Sequence, residues 1–311
     1  MRSLRVSRHS PRMLNYLMAA GTVFLWGASF PLTKLALQWA GPTTIAFLRW
    51  AVSAMFLIGW ILARGRLPAA ANLLRLRWGT ALWVALSGIT LFYFLENLAL
   101  RYTTVVNAGV LANLTTVFLA LLGAVWLKER LTRTEELAMA VAFAGAILVS
   151  QGAGHLSLTT VGLRGDLLMV VATFFAALYS IGGKNLVAEH SADTVIAVVA
   201  VLGTLLLLPP AVWEGMTLSL PVAAWGAILV LGFGSGALAN LWWMQILGRT
   251  KAARAGMILL LIPVVSTVMA VVFLGETLDL VVLVGGVLVL AGVAIVELQA
   301  AEPQTTRGDF N

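Results

Sequence analysis

Residues 100–131 read LRYTTVVNAGVLANLTTVFLALLGAVWLKERL, and residues 247–278 read LGRTKAARAGMILLLIPVVSTVMAVVFLGETL. Each contains an uncharged run of membrane-crossing length, Tyr102 to Leu127 and Ala255 to Gly275, because about 20 apolar residues in a helix span a hydrocarbon core of about 30 Å. Slid along itself by 147 residues, the chain aligns the two stretches without a gap. Thr103 meets Thr250, Ala108-Gly109 meets Ala255-Gly256, Leu127 meets Leu274, Glu129 meets Glu276 and Leu131 meets Leu278. The offset carries into the next run, where Ala144-Gly145 meets Ala291-Gly292 and Val149 meets Val296. Earlier runs match after a shift of three or four residues, so that Lys34 meets Lys184 and Ile45-Ala46 meets Ile196-Ala197. Apolar sequences coincide easily, so the charged and glycine matches carry the weight.

The whole chain has the composition of these stretches. Of its 311 residues 60% are hydrophobic and 11% charged, against roughly 45–50% and about 25% in soluble domains. A soluble fold is excluded, and no room remains for a separate aqueous domain. Cysteine is absent and the three histidines, His9, His155 and His190, are far apart, so neither disulfides nor a metal cluster is expected, and no cofactor is called for.

Ten spans are predicted, near residues 15–38, 43–63, 78–98, 104–127, 134–152, 166–187, 194–212, 222–247, 254–274 and 280–297. With the N-terminus inside, sixteen of the twenty Lys and Arg residues fall in inside segments, only Arg101 and Arg164 outside, and Lys34 and Arg49 within helices. This satisfies the positive-inside rule and puts both termini in the cytoplasm. Removing or adding one span would scramble the alternation. The basic leader Arg2 to Arg12 precedes an apolar run too long for a signal core of about 7–15 residues, so the first span is expected to be retained. The chain then divides into a basic N-terminal segment, 1–13, two five-helix repeats, 14–152 and 164–298, and a polar tail, 299–311. Because five is odd, the second repeat enters the membrane from the opposite side. Inverted repeats around a midplane site are a recurring plan of secondary transporters; a duplicated structural protein or a channel is the competing reading.

The run Leu25-Trp-Gly-Ala-Ser-Phe-Pro-Leu-Thr-Lys34, the Phe47-Leu-Arg-Trp50 segment and the signatures Leu127-Lys-Glu-Arg-Leu131 and Leu274-Gly-Glu-Thr-Leu278 together resemble the drug/metabolite transporter superfamily, within it the EamA family of ten-helix bacterial exporters. The resemblance covers residues 14 to about 298, and within the family the chain is most similar to the YddG-type aromatic amino-acid exporters. It implies a single bacterial inner-membrane polypeptide that exports amino acids or related metabolites through a cavity between its halves.

Several residues stand out against bland alternatives. Trp26, Ser29 and Thr33 share a face of the first span, and Tyr179 falls in its counterpart, span six. Thr90, Tyr93 and Asn97 follow i, i+3, i+7 spacing in span three, and Trp242 and Gln245 are one turn apart in span eight, its counterpart. These nine are expected to line the substrate pathway, since ring faces hold an ammonium and apolar walls hold a side chain; interfacial belts and helix cement are the alternative, which Trp39, Trp78 and Trp213 fit. Lys34 reads equally as a snorkelling lysine or a group at the external mouth. Arg49 would cost about 2.5–3.5 kcal/mol if lipid-exposed at mid-membrane, so it must face protein or water, where structural anchoring is expected. Glu129 and Glu276, at equivalent places after their helices, are expected to share a structural job, pairing with a cation or accepting amides at the start of the next helix. Pro31 and Pro263 lie within predicted helices and read as hinges. Gly232-x-x-x-Gly236 and the Ala138, Ala142, Ala146 series suit close helix packing.

Glu96 and Asp166 fall near predicted helix ends, so no carboxylate relay is expected at the midplane; facilitated diffusion, or coupling without a central carboxylate, follows. Within transport the alternative is a permease for another metabolite such as a nucleotide sugar. A membrane-embedded transferase would need paired acids or metal ligands, and no Asp-rich motif, HExxH or P-loop occurs; the chain does not read as an enzyme. Two matched halves in one chain make a monomer sufficient, with the lipid bilayer and a small-molecule substrate as its partners and no nucleic acid.

Overall fold

A computed structural model describes residues 11–103, 105–129, 132–152, 160–274 and 280–301. The described residues form helices joined by turns and short loops, without strands. In order come α1 (Pro11–Ala36), α2 (Pro42–Ala63), α3 (Leu67–Ala85), a π-helical stretch Leu86–Leu91, α4 (Phe92–Tyr102), α5 (Val105–Leu111), α6 (Leu114–Trp126) and α7 (Arg133–Gly152). There follow α8 (Thr160–Val187), α9 (Ala192–Trp213), α10 (Val222–Val230), a second π stretch Leu231–Leu238, α11 (Ala239–Leu247), α12 (Ala252–Leu259), α13 (Ile262–Leu274) and α14 (Leu280–Ala301). Six helical runs among the described residues are long and apolar enough to cross a membrane: Met13–Ala36, Pro42–Ala63, Leu67–Tyr102, Gly162–Val187, Ala192–Trp213 and Val222–Leu247. Leu114–Trp126, Ala252–Ser266 and Leu283–Gly292 are shorter apolar helices.

Three of these differ from the sequence expectation. The third run starts at Leu67 rather than near residue 78, because Pro68 at the helix start and the helix formers Ala69 to Leu74 extend it backwards. Arg77, with φ −132° and ψ 26°, kinks it. The predicted spans 104–127 and 254–274 are each broken, at Ala112-Asn113 and at Leu260-Leu261. The second break has an evident cause. Pro263 cannot donate to the Leu259 carbonyl, and its ring crowds that carbonyl. It therefore sits in the first turn of α13, where an amide would be unpaired in any case, and not inside a continuous helix.

Local features recur at matching places. The two π stretches, the two breaks, and two left-handed glycines closing 22-residue helices, Gly65 (φ 65°) after α2 and Gly215 (φ 83°) after α9, fall about 145 to 150 residues apart. Only glycine takes that backbone conformation without a side-chain clash.

Side-chain contacts define two ends of the bundle. At one, Arg66 pairs with Asp193, Arg77 with Glu189 (2.5 Å), Lys184 with Glu129 (3.0 Å) and Arg254 with Glu135 (2.6 Å), and Arg249 bonds Asn15 (2.6 Å). These four ion pairs all lie at this basic end. At the opposite end, Lys34 donates to the carbonyls of Leu100 and Thr103, Thr103 donates to Asp166 (2.5 Å), and Glu214 accepts the Thr43 and Thr44 amides that open α2 (3.2 and 2.8 Å). Between the ends, Trp50, Leu57, Ile89, Leu100 and Trp243 are fully buried, while Trp213, Val222, Val125 and many leucines lie bare on the outer surface, as lipid-facing side chains do. Gly232 and Gly236 bring the second π stretch against Val52, Ser53 and the Arg49 backbone of α2, and Ala138 and Ala142 of α7 meet Gly292 of α14.

Glu129 fastens one half of the sequence to the other. Its Oε2 accepts the amide of Ala252 (2.8 Å), the first residue of α12, and its Oε1 faces Lys184, so the helix it caps is α12 rather than the next one in sequence. That next helix, α7, has its own capping box: Glu135 accepts the Thr132 amide (2.8 Å) and the Thr132 hydroxyl accepts the Glu135 amide (3.2 Å). Glu276 lies outside the described residues. Replacing Glu129→Ala is expected to cost about 1–2 kcal/mol through the lost cap and pair. Thermal unfolding in detergent should show Glu129→Ala and Lys184→Met each lowering the midpoint, with the double variant falling short of their sum.

Candidate functional site

A cavity of about 630 Å³ of atom-free space, its mouth included, lies between α1, α4, α8 and α11 and is closed along its side by the breaks of α5/α6 and α12/α13. Six of its sixteen lining residues are aromatic. Trp26 and Phe30 come from α1, Phe92 and Tyr93 from α4, Tyr179 from α8 and Trp243 from α11. The polar groups are Ser29, Glu96, Thr115, Ser180 and Asn240.

Fourteen of the sixteen lining positions, all but Gly88 and Phe92, fall into pairs along the sequence. Residues 26, 29 and 30 stand 150 before 176, 179 and 180; residues 93, 96, 112 and 115 stand 147 before 240, 243, 259 and 262. The chemistry is not shared: Glu96 answers Trp243, Tyr93 answers Asn240, and Ser29 answers Tyr179.

A hydrogen-bond network fixes the aromatic walls. Tyr179 donates its hydroxyl to Asn240 Oδ1 (2.8 Å), and Asn240 Nδ2 donates to the Ser235 carbonyl (2.8 Å). That carbonyl also accepts from Trp26 Nε1 (3.1 Å). Ser235 lies in the second π stretch, where the amide of Ala239 reaches back to Gly234; the shifted register leaves the Ser235 carbonyl available to two side chains. Trp243 Nε1 donates to Ser180 (3.1 Å), and its ring stands 5.5 Å from that of Trp26, tilted by 60°. In the first π stretch Gly88 takes the place of Ser235 and lets the Tyr179 ring lie directly on the backbone, since a Cβ there would fall 2.0 Å from the ring.

Behind the wall, Arg49 is wholly buried. Its guanidinium lies 4.4 Å over the Tyr93 ring and donates to Thr33 (3.3 Å) and Ser235 Oγ (2.7 Å). The Trp50 ring meets Tyr93 edge-on at 5.2 Å.

Of the nine residues expected along the pathway, Trp26, Ser29, Tyr93 and Tyr179 line the cavity together. The other five do not. Thr33 holds Arg49, Thr90 bonds the Gly203 carbonyl (3.4 Å), and Asn97 donates to the Pro42 carbonyl (2.9 Å). Trp242 packs at Gly21, and Gln245 lines a separate polar pocket at the basic end. Within α11 it is Asn240 and Trp243, three residues apart, that face the cavity, while Trp242 and Gln245 share a different face of the same helix. Glu96 was also missed: α4 runs on to Tyr102, which sets Glu96 six residues inside the helix end, 3% exposed. Among the gating candidates Pro31 is inside α1; Lys34, Arg49, Glu129 and Pro263 have been placed above. Among the described residues no three His, Asp or Glu side chains group as metal ligands.

The sequence profile of the EamA-like transporter family matches this chain twice, over residues 13–151 and 163–298. The chain belongs to the EamA-like transporter family. Relatives of this transporter include an uncharacterized transporter of Archaeoglobus fulgidus, 29% identical, with 89% of this chain and 95% of that one aligned. A probable terminal-alkyne amino-acid exporter of Streptantibioticus cattleyicolor is 30% identical (88% and 90% aligned), and a probable amino-acid metabolite efflux pump of Salmonella typhimurium is 26% identical (89% and 93%). A solved crystal structure, 21% identical, superposes with a TM-score of 0.77 over 93% of this chain and 98% of its own, the same fold.

Gly88→Ala should push the Tyr179 ring off its seat and break its bond to Asn240, at a cost of about 1–3 kcal/mol for overpacking. A lowered unfolding midpoint together with lost transport is the expected result; an unchanged protein would show that the ring has room to move.

Proposed function

We propose that this EamA transporter is an inner-membrane exporter of small amine-bearing metabolites, amino acids including aromatic ones, working by alternating access around the aromatic cavity. The observation that carries the reading is the pairing of cavity positions: seven of the nine lining residues drawn from 11–152 have a counterpart in the lining from residues 160–301. In this reading the chain forms ten transmembrane helices as two inverted five-helix repeats, 14–152 and 164–298, with the basic end and both termini in the cytoplasm. Matched π stretches and matched helix breaks give each repeat the same two places to bend, so that outward and inward openings arise from similar motions. Both walls come from one chain, which makes a monomer sufficient.

The substrate assignment rests on chemistry and on relatives. Indole and phenol faces suit an aromatic side chain and an ammonium, and two relatives carry names of amino-acid exporters or efflux pumps. A nucleotide sugar would bring a diphosphate, whereas no Lys or Arg stands among the described lining residues.

Purified protein in liposomes preloaded with unlabelled amino acids should take up labelled phenylalanine, tyrosine or tryptophan saturably by exchange, compared with empty liposomes. Absence of exchange for every amino acid by folded protein overturns the substrate assignment. Orientation is tested separately, because the chain has no cysteine of its own. In intact cells a membrane-impermeant maleimide should label Thr217→Cys and spare Asn72→Cys; the reverse pattern inverts the topology.

A further inference from the structure

Glu96 is a carboxylate in an aromatic cavity; no described side chain forms an ion pair with it, and Arg49, bonded elsewhere, acts on it only through its electrostatic field. Glu96 is 3% exposed, it lines the cavity, and its Oε2 has no hydrogen-bond partner. The elements packed around α4 bring charged and titratable groups, all of them otherwise engaged or distant. From α1 comes Lys34, held by the carbonyls of Leu100 and Thr103. From α2 comes Arg49, held by Thr33, Ser235 Oγ and the Tyr93 ring. From α8 come Arg164, exposed, Asp166, bonded by Thr103, and Tyr179, bonded to Asn240. The described part of α5 carries no titratable side chain, nor does the π stretch before α4. On α4 itself Tyr93 stacks under Arg49, while Arg101 and Tyr102 are exposed near its end. None of these forms an ion pair with Glu96.

A carboxylate left ionised and unpaired in such a place is strongly disfavoured, so it takes a proton or a cation. The rings of Trp26, Tyr93, Tyr179 and Trp243 surround the same space, and their faces attract an organic cation but gain little from an anion. We infer that Glu96 is the group that recognises the protonated amine of the substrate, and that a proton occupies the same carboxylate when the amine is absent. The inference rests on the exporter reading above and adds coupling to it. At loading, the substrate's ammonium replaces the Glu96 proton, which leaves to the loading compartment. At release, a proton from the opposite compartment returns to Glu96 and the ammonium departs. One proton therefore enters for each molecule exported, and for a zwitterionic amino acid one positive charge moves inward per cycle. This departs from the facilitated-diffusion expectation, which set Glu96 near a predicted helix end and expected no carboxylate relay at the midplane.

The test is calorimetric titration of the purified protein in two buffers of different ionisation enthalpy, with phenylalanine, phenethylammonium and N-acetylphenylalanine as probes. Wild type should bind the two amines and release protons, and bind the acetylated probe at least tenfold more weakly. Glu96→Gln should weaken amine binding at least tenfold and abolish proton release. Glu96→Asp should retain release, and it decides the matter if the glutamine variant fails to elute as a folded species. Equal phenylalanine binding by wild type and Glu96→Gln, without proton release, overturns the role of Glu96 and leaves the amino-acid assignment standing. Binding of phenethylammonium through Glu96 without binding of phenylalanine does the opposite. Failure of both amines to bind wild type overturns both.

Discussion

In a hydrocarbon core no water is present to satisfy a backbone amide or carbonyl, so any departure from regular helix must be answered by another part of the protein. The cavity of this transporter is assembled from such departures. The π stretch at Leu231–Leu238 frees the Ser235 carbonyl, and the side chains of Trp26 and Asn240 come to it from α1 and α11. The break between α12 and α13 follows from Pro263, and the Thr116 hydroxyl of α6 crosses to the Gly256 carbonyl of α12 (2.7 Å) beside it. Irregular backbone and polar side chains therefore occur together, and they occur where the cavity is.

The scaffold of the cavity is paired while its chemistry is one-sided. Corresponding positions hold a carboxylate and an indole, a phenol and an amide, a hydroxyl and a phenol. A space with matched walls can be reached by similar bending from either end, yet it presents a bound molecule with a single acidic corner. Arg49 contributes to the same asymmetry. Always charged and fully buried, it reaches hydroxyls and a ring from behind the wall, and it stiffens Tyr93 without standing in the open space.

Hydropathy and charge placement made the membrane class and the long crossings legible, because both are set by composition over about twenty residues. The internal match, at offsets of 147 to 150 residues, likewise led to features that the structure repeats, down to the lysines that reach carbonyls at opposite ends. Side-chain direction was less legible. A pattern such as Trp242 with Gln245 shows that two side chains share a face of a helix but not which face meets the cavity, and in α11 that place is taken by Asn240 and Trp243. Glu96 was misjudged for a related reason, since its depth depended on where α4 ends, and helix ends are the least visible boundary in a sequence. Asn113 carried no signal of this kind either; it is buried at the first helix break with its amide unpartnered, and I-to-I+4 spacing does not register a break made without proline.

The two ends of the bundle are fastened by different forces. Four ion pairs hold the basic end, whereas the opposite end is tied mainly by bonds to backbone groups, from Lys34, Glu214 and Asn97. Of the four pairs only Arg77–Glu189 has both side chains well exposed, and it is the one that dissolved salt, with a Debye length of about 8 Å at physiological strength, loosens most. Ionic strength is thus a lever with its fulcrum off-centre: raising it slackens one outer bond of the basic end, leaves the three sheltered pairs largely in place, and barely touches the clasp at the other end.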